Sequence, residues 1–313
     1  MNLKMSSIME KQRRYSGGRK EHIRTILLNI VCYFILIGIG FVYLYPIIYM
    51  VLMSIMPTND LINPTIQWIP TALDLEGFKT VYKVLDYGPS FLTTLLLASV
   101  ASIVQTVACA FAGFALARYP VPLKKFWVFL ILITFIVPSD AVMVPRYVLF
   151  NEYHLIGTMW SMYLPALLGQ GLKASLFVFL FMQNFGSYPK SYDEAAQLDG
   201  AGNFRLFFKV ALPLAIPIVI LSLLFSFIWY WNETSQSELF LNGVYKTLPL
   251  QLKSFDSLFS ERMSSSFGST ANRLNERLQM AATMLVISPL VLLYFVFQKS
   301  MIGSIESAGI TGE

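Results

Sequence analysis

Residues 189–217 read P-K-S-Y-D-E-A-A-Q-L-D-G-A-G-N-F-R-L-F-F-K-V-A-L-P-L-A-I-P, a short polar segment set between two long apolar ones. Such a segment is expected as a loop joining two membrane helices. Ser191 precedes Glu194 by three residues, the spacing of a capping box. In that arrangement a hydroxyl caps the N3 amide and the carboxylate reaches back to the cap amide. The spacing predicts a short helix from Ser191, continued by Ala195, Ala196, Gln197 and Leu198. Gly200 should end it, because glycine takes the left-handed conformation of a helix C′ position without steric cost. Ala195 and Ala196 are small enough to admit a partner surface.

The sequence on either side is that of a membrane protein. The chain has 313 residues, 56% hydrophobic and only 13% charged, with 25 phenylalanines. Apolar runs of about 20 residues nearly free of charge are the pattern of spanning helices. Such runs are expected at Ile26–Ile55, Phe91–Ala117, Phe126–Met143, Met159–Phe185, Val210–Trp231 and Leu278–Phe297. The fold class is therefore an all-α polytopic membrane protein. The first run is longer than a signal-peptide core and lacks a small-residue cleavage site, so it is expected to remain as the first span. Three parts are expected: a basic tail at 1–25, a six-helix body at 26–303 with the loop at 186–209, and a C-terminal tail at 304–313.

The net charge of +5 comes mainly from the flanks of apolar runs. Lys4, Lys11, Arg13, Arg14, Arg19, Lys20 and Arg24 precede the first run, and Arg118, Lys124 and Lys125 follow the second. This placement reads as membrane orientation, with both termini cytoplasmic, and no nucleic-acid partner is expected. Cys32 and Cys109 lie inside apolar runs and are expected as small buried hydrophobes. His22 and His154 have no second ligand at metal spacing, so no metal site is expected. Gly17-Gly18-Arg19-Lys20 has the wrong spacing for a phosphate loop, and no Walker A segment occurs. No nucleophile or carboxylate constellation stands at catalytic spacing, so no catalytic residue is assigned and the chain is not expected to be an enzyme.

One interruption is chemically informative. Gly169–Lys173, G-Q-G-L-K, falls inside the fourth run. A lysine within a spanning segment is costly unless it faces water, a partner or a solute, and glycines permit local unwinding. Either Gln170 and Lys173 line a solute path, or Lys173 snorkels to the outer face without a transport role. Asp140 has the same two readings, interfacial solvation or a polar wall. The fifth run ends in W-Y-W-N-E, Trp229–Glu233, at the position of an aromatic belt. External loops are expected at 59–88, with Pro64, Trp68 and Pro70, and at 234–277, where the stretch from Met263 to Arg277 is polar.

Glu194, Ala195, Ala196, Asp199, Gly200, Ala201 and Phe204, with Leu212, Pro213 and Pro217, resemble a known signature. It is the E-A-A loop of inner-membrane permease subunits of binding-protein-dependent ABC importers, of the maltose and oligosaccharide type. F-A-G-F-A-L-A-R-Y at 111–119, T-L-P-L-Q-L at 247–252, Trp231-Asn232 and Phe297-Gln298-Lys299 with Gly303 also resemble that family. The likeness runs from about Phe34 to Gly303.

The resemblance implies a six-transmembrane-helix type I ABC importer permease in the bacterial cytoplasmic membrane. Residues 191–203 would form its coupling element, with Ser191, Glu194, Ala195, Ala196, Leu198, Asp199, Gly200 and Phe204 coupling to an ATPase. Gln170, Lys173, Trp231 and Asn232 would line the solute path. The implied partners are a second, non-identical permease subunit, two copies of an ABC ATPase subunit, an extracytoplasmic solute-binding protein and the lipid bilayer. No cofactor is expected in this chain; ATP and Mg would be bound by the ATPase subunits. The implied solute is a carbohydrate, an oligosaccharide, and Lys173 favours an acidic one. The alternative is another polar solute, such as a glycerol phosphate derivative or a polyamine.

Overall fold

The computed structural model describes residues 2–62, 69–263 and 271–310. Pro64, Trp68 and residues 264–270 of the second external loop lie outside the described residues. The chain divides into two units, Met1–Asp74 and Leu75–Glu313. The first is a long helix, Asn2–Ile55, followed by a short one, Thr58–Ile62. The stretch Arg24–Ile55 has the length and apolarity to cross a membrane. Phe34, Ile37 and Tyr43 are exposed on different faces of it. A helix apolar all round belongs in lipid or against other protein. Asp60 closes the unit, accepting the Thr71 N–H at 2.7 Å and its hydroxyl at 2.8 Å.

The second unit is built around the second span, the uninterrupted helix Tyr87–Arg118. At 1.5 Å per residue its 32 residues run about 48 Å, more than a bilayer core. Its small residues set how closely its neighbours approach. A Cβ on Gly113 would lie 2.9 Å from the Met182 amide nitrogen and closer still to Phe181, so only glycine fits against the fourth span. The sixth span is the helix Ala271–Ile310, whose membrane-length window is Glu276–Lys299.

The three remaining expected runs are broken. The third helix is Lys124–Ile136 and stops short of the expected Met143. Val137 is extended because it precedes Pro138, and the helix Met143–Glu152 leaves at 101°. The fourth run forms Trp160–Leu167 and Ala174–Ser187, on either side of the expected interruption. The fifth passes through a π-helical turn, Phe207–Ala211, and a single turn, Leu212–Leu214. It then bends by 82° into Ile216–Asn232. Pro217 sits in the first turn after that bend, where a missing amide donor costs least, and Pro213 lies just before it, at the end of the helical stretch Asn203–Leu214.

Two apolar clusters hold these helices together. One gathers Leu97, Ala101, Trp231, Phe240, Leu248 and Ala282, and the other Phe114, Phe181, Phe185, Phe207, Ala211 and Ile218. The expected external loops contain more structure than their polarity suggests. Glu76–Val84 is an amphipathic helix that buries Val81 and Val84. Residues 234–263 form three short helices, Ser235–Leu241, Leu248–Lys253 and Phe255–Met263. The Leu248 amide donates to the Thr94 hydroxyl at 2.8 Å inside the protein. This segment is core, held down by the second span.

Candidate functional site

The break in the fourth span is a fixed structure. Gly169 and Lys173 have positive φ, 70° and 51°, which turns the chain out of the helix and back in. The freed peptide groups then need partners, since a buried backbone group left without one is costly. Tyr230 supplies one: its hydroxyl accepts the Leu172 N–H at 3.3 Å and donates to Gln105 Oε1 at 2.8 Å. Gln105 Nε2 donates to the Leu172 carbonyl at 2.9 Å and to Ser226 Oγ at 3.0 Å. Side chains from the second and fifth spans thus clamp both sides of one residue in the fourth. A Cβ on Gly171 would run into Gln105 Oε1 and the Tyr230 oxygen, so the clamp requires glycine there.

The clamp presents Lys173 to a cavity of about 760 Å³. Arg146, Gln170, Lys173, Trp229, Asn232 and Glu233 lie in its wall. Lys173 Nζ stands 5.4 Å from the centre of the Trp229 ring, within cation–π range. The Asn232 amide is tied to its own helix, donating to the Ile228 carbonyl at 2.9 Å. Glu233 Oε1 accepts the Gln236 N–H at 2.8 Å. Burial pushes the Glu233 carboxyl above its usual range; the amides of Gln236 and Ser235 oppose the shift, and Asp140 adds to it. Two cations face one carboxylate, beside an aromatic ring and several amide groups. Such a wall can hold an anionic, hydroxylated solute.

Of the expected path residues, the structure brings Gln170, Lys173 and Asn232 together at this cavity. Trp231 is elsewhere. It is 1% exposed and packs edge-on to Phe91 and against Phe227, with ring centres 5.9 and 5.6 Å away. The helix explains the exchange: residues three apart share a face, so Asn232 sits with Trp229, whereas Trp231 points away. Arg146, beyond the expected end of the third run at Met143, joins the wall because the bend at Pro138 swings its helix across. Gln105 and Tyr230 had no role in the sequence reading. A glutamine in the middle of an apolar span was the signal, since such a group must find a partner.

The expected loop helix forms as Ser191–Leu198. Its capping box does not. The N-cap is Lys190, no side chain caps it, and Ser191 is already helical. The Pro189 and Lys190 carbonyls take the Tyr192, Asp193 and Glu194 amides, so the first turn is closed by backbone. Asp193 and Glu194 in that turn complement the positive helix end. The other end follows expectation. Gly200 has φ 76°, its N–H bonds the Gln197 carbonyl at 3.0 Å, and the Ala201 N–H bonds the Ala196 carbonyl at 2.9 Å. These are the two bonds of a Schellman ending.

Around this helix Glu194, Ala195, Asp199 and Gly200 are exposed, while Ala196 faces inward onto the phenylalanine cluster. Leu198 is 89% exposed and Phe204 74% exposed, with Tyr192 and Phe208 also open. Apolar side chains collected on one exposed loop form a surface made to be covered.

Broken spans enclosing a polar cavity, with a loop of exposed apolar side chains at one end of the same helices, are the features of a multi-pass membrane transport component. The chain belongs to the family described as binding-protein-dependent transport system inner membrane component, whose model matches residues 105–305. It is similar to a probable starch degradation products transport system permease protein of Thermoanaerobacterium thermosulfurigenes, 25% identical over 93% of this chain and 99% of that one. It is 28% identical to the maltodextrin transport system permease protein of Streptococcus pneumoniae, over 91% of this chain and 96% of that one. A diacetylchitobiose uptake system permease protein of Streptomyces coelicolor is 26% identical over 91% and 96%. One solved chain superimposes with a TM-score of 0.70, covering 87% of this chain and 96% of its own, at 23% identity. It comes from a bacterial ABC transporter involved in the import of the acidic polysaccharide alginate. That likeness bears on the fold, and the fold is the expected type I importer permease.

Proposed function

We propose that this chain is one of two non-identical permease subunits of an ATP-driven importer in a bacterial cytoplasmic membrane, with both termini cytoplasmic. It moves an oligosaccharide delivered by an extracytoplasmic solute-binding protein, and its cavity favours an acidic one. ATP and Mg are bound by two copies of an ATPase subunit that dock on the Ser191–Leu198 helix through Leu198, Phe204 and their neighbours. Closure of the ATPases pushes on this helix and turns the paired permeases, exposing the cavity first to one side of the membrane and then to the other.

The carbohydrate reading is supported by the names of the relatives, which speak of starch products, maltodextrin and diacetylchitobiose. The observation that carries the acidic refinement is Lys173, held beside the Trp229 ring at the cavity wall. A ring face suits the apolar side of a sugar, and a lysine suits its carboxylate. With Arg146 opposing a single carboxylate, Glu233, the wall is ill matched to a polyamine. A glycerol phosphate derivative fits the same charges but not the names of these three relatives.

Uptake of neutral and acidic oligomers by the Lys173→Ala complex tests this reading. Acidic oligomers should lose about tenfold more uptake than neutral ones, the effect of roughly 1.4 kcal/mol of charge attraction. Equal losses for both would remove the charge role and leave the carbohydrate reading in place.

A further inference from the structure

We infer that Arg118 and Asp193 form a latch that fastens the loop helix to the second span, making Arg118 the positioning residue through which movement of that helix reaches the cavity. This rests on the coupling role proposed for the loop. Arg118 is the last residue of the second span. Its Nη2 donates to the Tyr188 carbonyl at 2.8 Å, and its guanidinium carbon lies 3.5 Å from the centre of the Tyr188 ring. Its Nε stands 3.4 Å from Asp193 Oδ2, with the two side chains only 5% and 13% exposed. One guanidinium thus grips the approach to the loop helix by backbone, ring and charge, and grips the first turn of that helix through Asp193.

The arrangement is more than a surface ion pair. Arg118 Nε and Asp193 Oδ1 make no hydrogen bond among the described residues. The contact is therefore held by charge and burial, and removing one partner leaves the other charge buried alone. Behind the latch the second span is seated against the fourth at Gly113, and its Gln105 holds Leu172 beside Lys173. A pull on Asp193 is thereby passed along one rigid helix to the residue next to the solute lysine. The exposed face of the loop helix takes no part in this path.

The test uses the tagged chain isolated with its partner proteins from native membranes and reconstituted in lipid, with solute uptake and ATP hydrolysis measured on the same vesicles. Asp193→Asn and Arg118→Gln should keep the ATPase bound and hydrolysing while solute moved per ATP falls at least about fivefold. The double variant should be no worse than either single one, because the two residues act as a unit. Arg118→Lys, which keeps the charge but loses the fork, should fall between wild type and Arg118→Gln. Solute moved per ATP unchanged in the singles, losses that multiply in the double, or a lysine variant as uncoupled as the glutamine would each overturn the latch. A wild-type chain that brings down no ATPase would instead sink the coupling reading, and the latch with it.

Discussion

The fourth and fifth spans are both broken, and they are broken by opposite means. In the fourth, glycines open the helix and side chains from two other spans satisfy the exposed peptide at Leu172. In the fifth, two prolines flank the bend, and the Ala215 amide there bonds the Ala211 and Leu212 carbonyls of its own span, both at 3.1 Å. The first break stands at the cavity, and the second connects the loop helix to the membrane body. A break that recruits polar partners costs cooperation among three helices, and it returns a rigidly placed lysine. A proline break costs little and returns a change of direction.

The largest effect should come from filling the clamp. Gly171→Leu has no room beside Gln105 and Tyr230, so it must both overpack the site and part the hydrogen bonds on Leu172. A loss of about 3 kcal/mol or more is expected, read as a lowered unfolding midpoint in detergent or as absent folded complex. Normal stability would mean that the break is loose and the contrast with the fifth span unfounded.

Gln105→Leu should come next. It strips the acceptor of the Tyr230 hydroxyl and the donor to the Leu172 carbonyl, leaving buried polar atoms unmet at a cost of about 2 kcal/mol. Its sharper consequence is at the cavity, because Lys173 follows the clamped residue. Uptake of acidic oligomers should suffer more than that of neutral ones, as for Lys173→Ala, although Gln105 is absent from the cavity wall. A stability loss with unchanged selectivity would reduce the clamp to scaffolding.

Gly200→Ala is smaller still. Its left-handed φ disfavours any Cβ by about 1 kcal/mol, yet nothing lies within contact of one, so the strain is confined to the backbone. Gly171 and Gly200 thereby separate the two uses of glycine: space at one, conformation at the other. The difference in unfolding midpoint between the two substitutions measures that distinction.

How much of this was legible beforehand follows the range of the interactions. The loop helix, its glycine ending and the interruption at Gly169–Lys173 are written in neighbouring residues, and the sequence predicts them. The capping box failed because the Lys190 carbonyl takes the Glu194 amide that the Ser191 hydroxyl was to cap, a competition between backbone and side chain that spacing alone does not decide. Trp231 was misplaced by a reading in pairs where the helix works in threes. Arg118, expected only as a positive flank, meets Asp193 from 75 residues along the chain, and Gln105 meets Leu172 from 67 residues along it. Partners that distant become visible only when the helices are packed.

The smallest expected effect is at the fifth span, and it tests the comparison from the other side. Pro217→Ala restores an amide whose helical acceptor would be the Pro213 carbonyl, across the bend at Ala215. Ala211 and Ala215 are fully buried against the phenylalanine cluster, so packing holds the turn of 82° independently of the ring. The change in stability should stay within about 0.5 kcal/mol. A spin-label distance between the loop helix and the middle of the fifth span should be unaltered. A lengthened distance would show that the proline itself holds the bend. The two breaks would then differ in which residues make them and no longer in how firmly they are fixed.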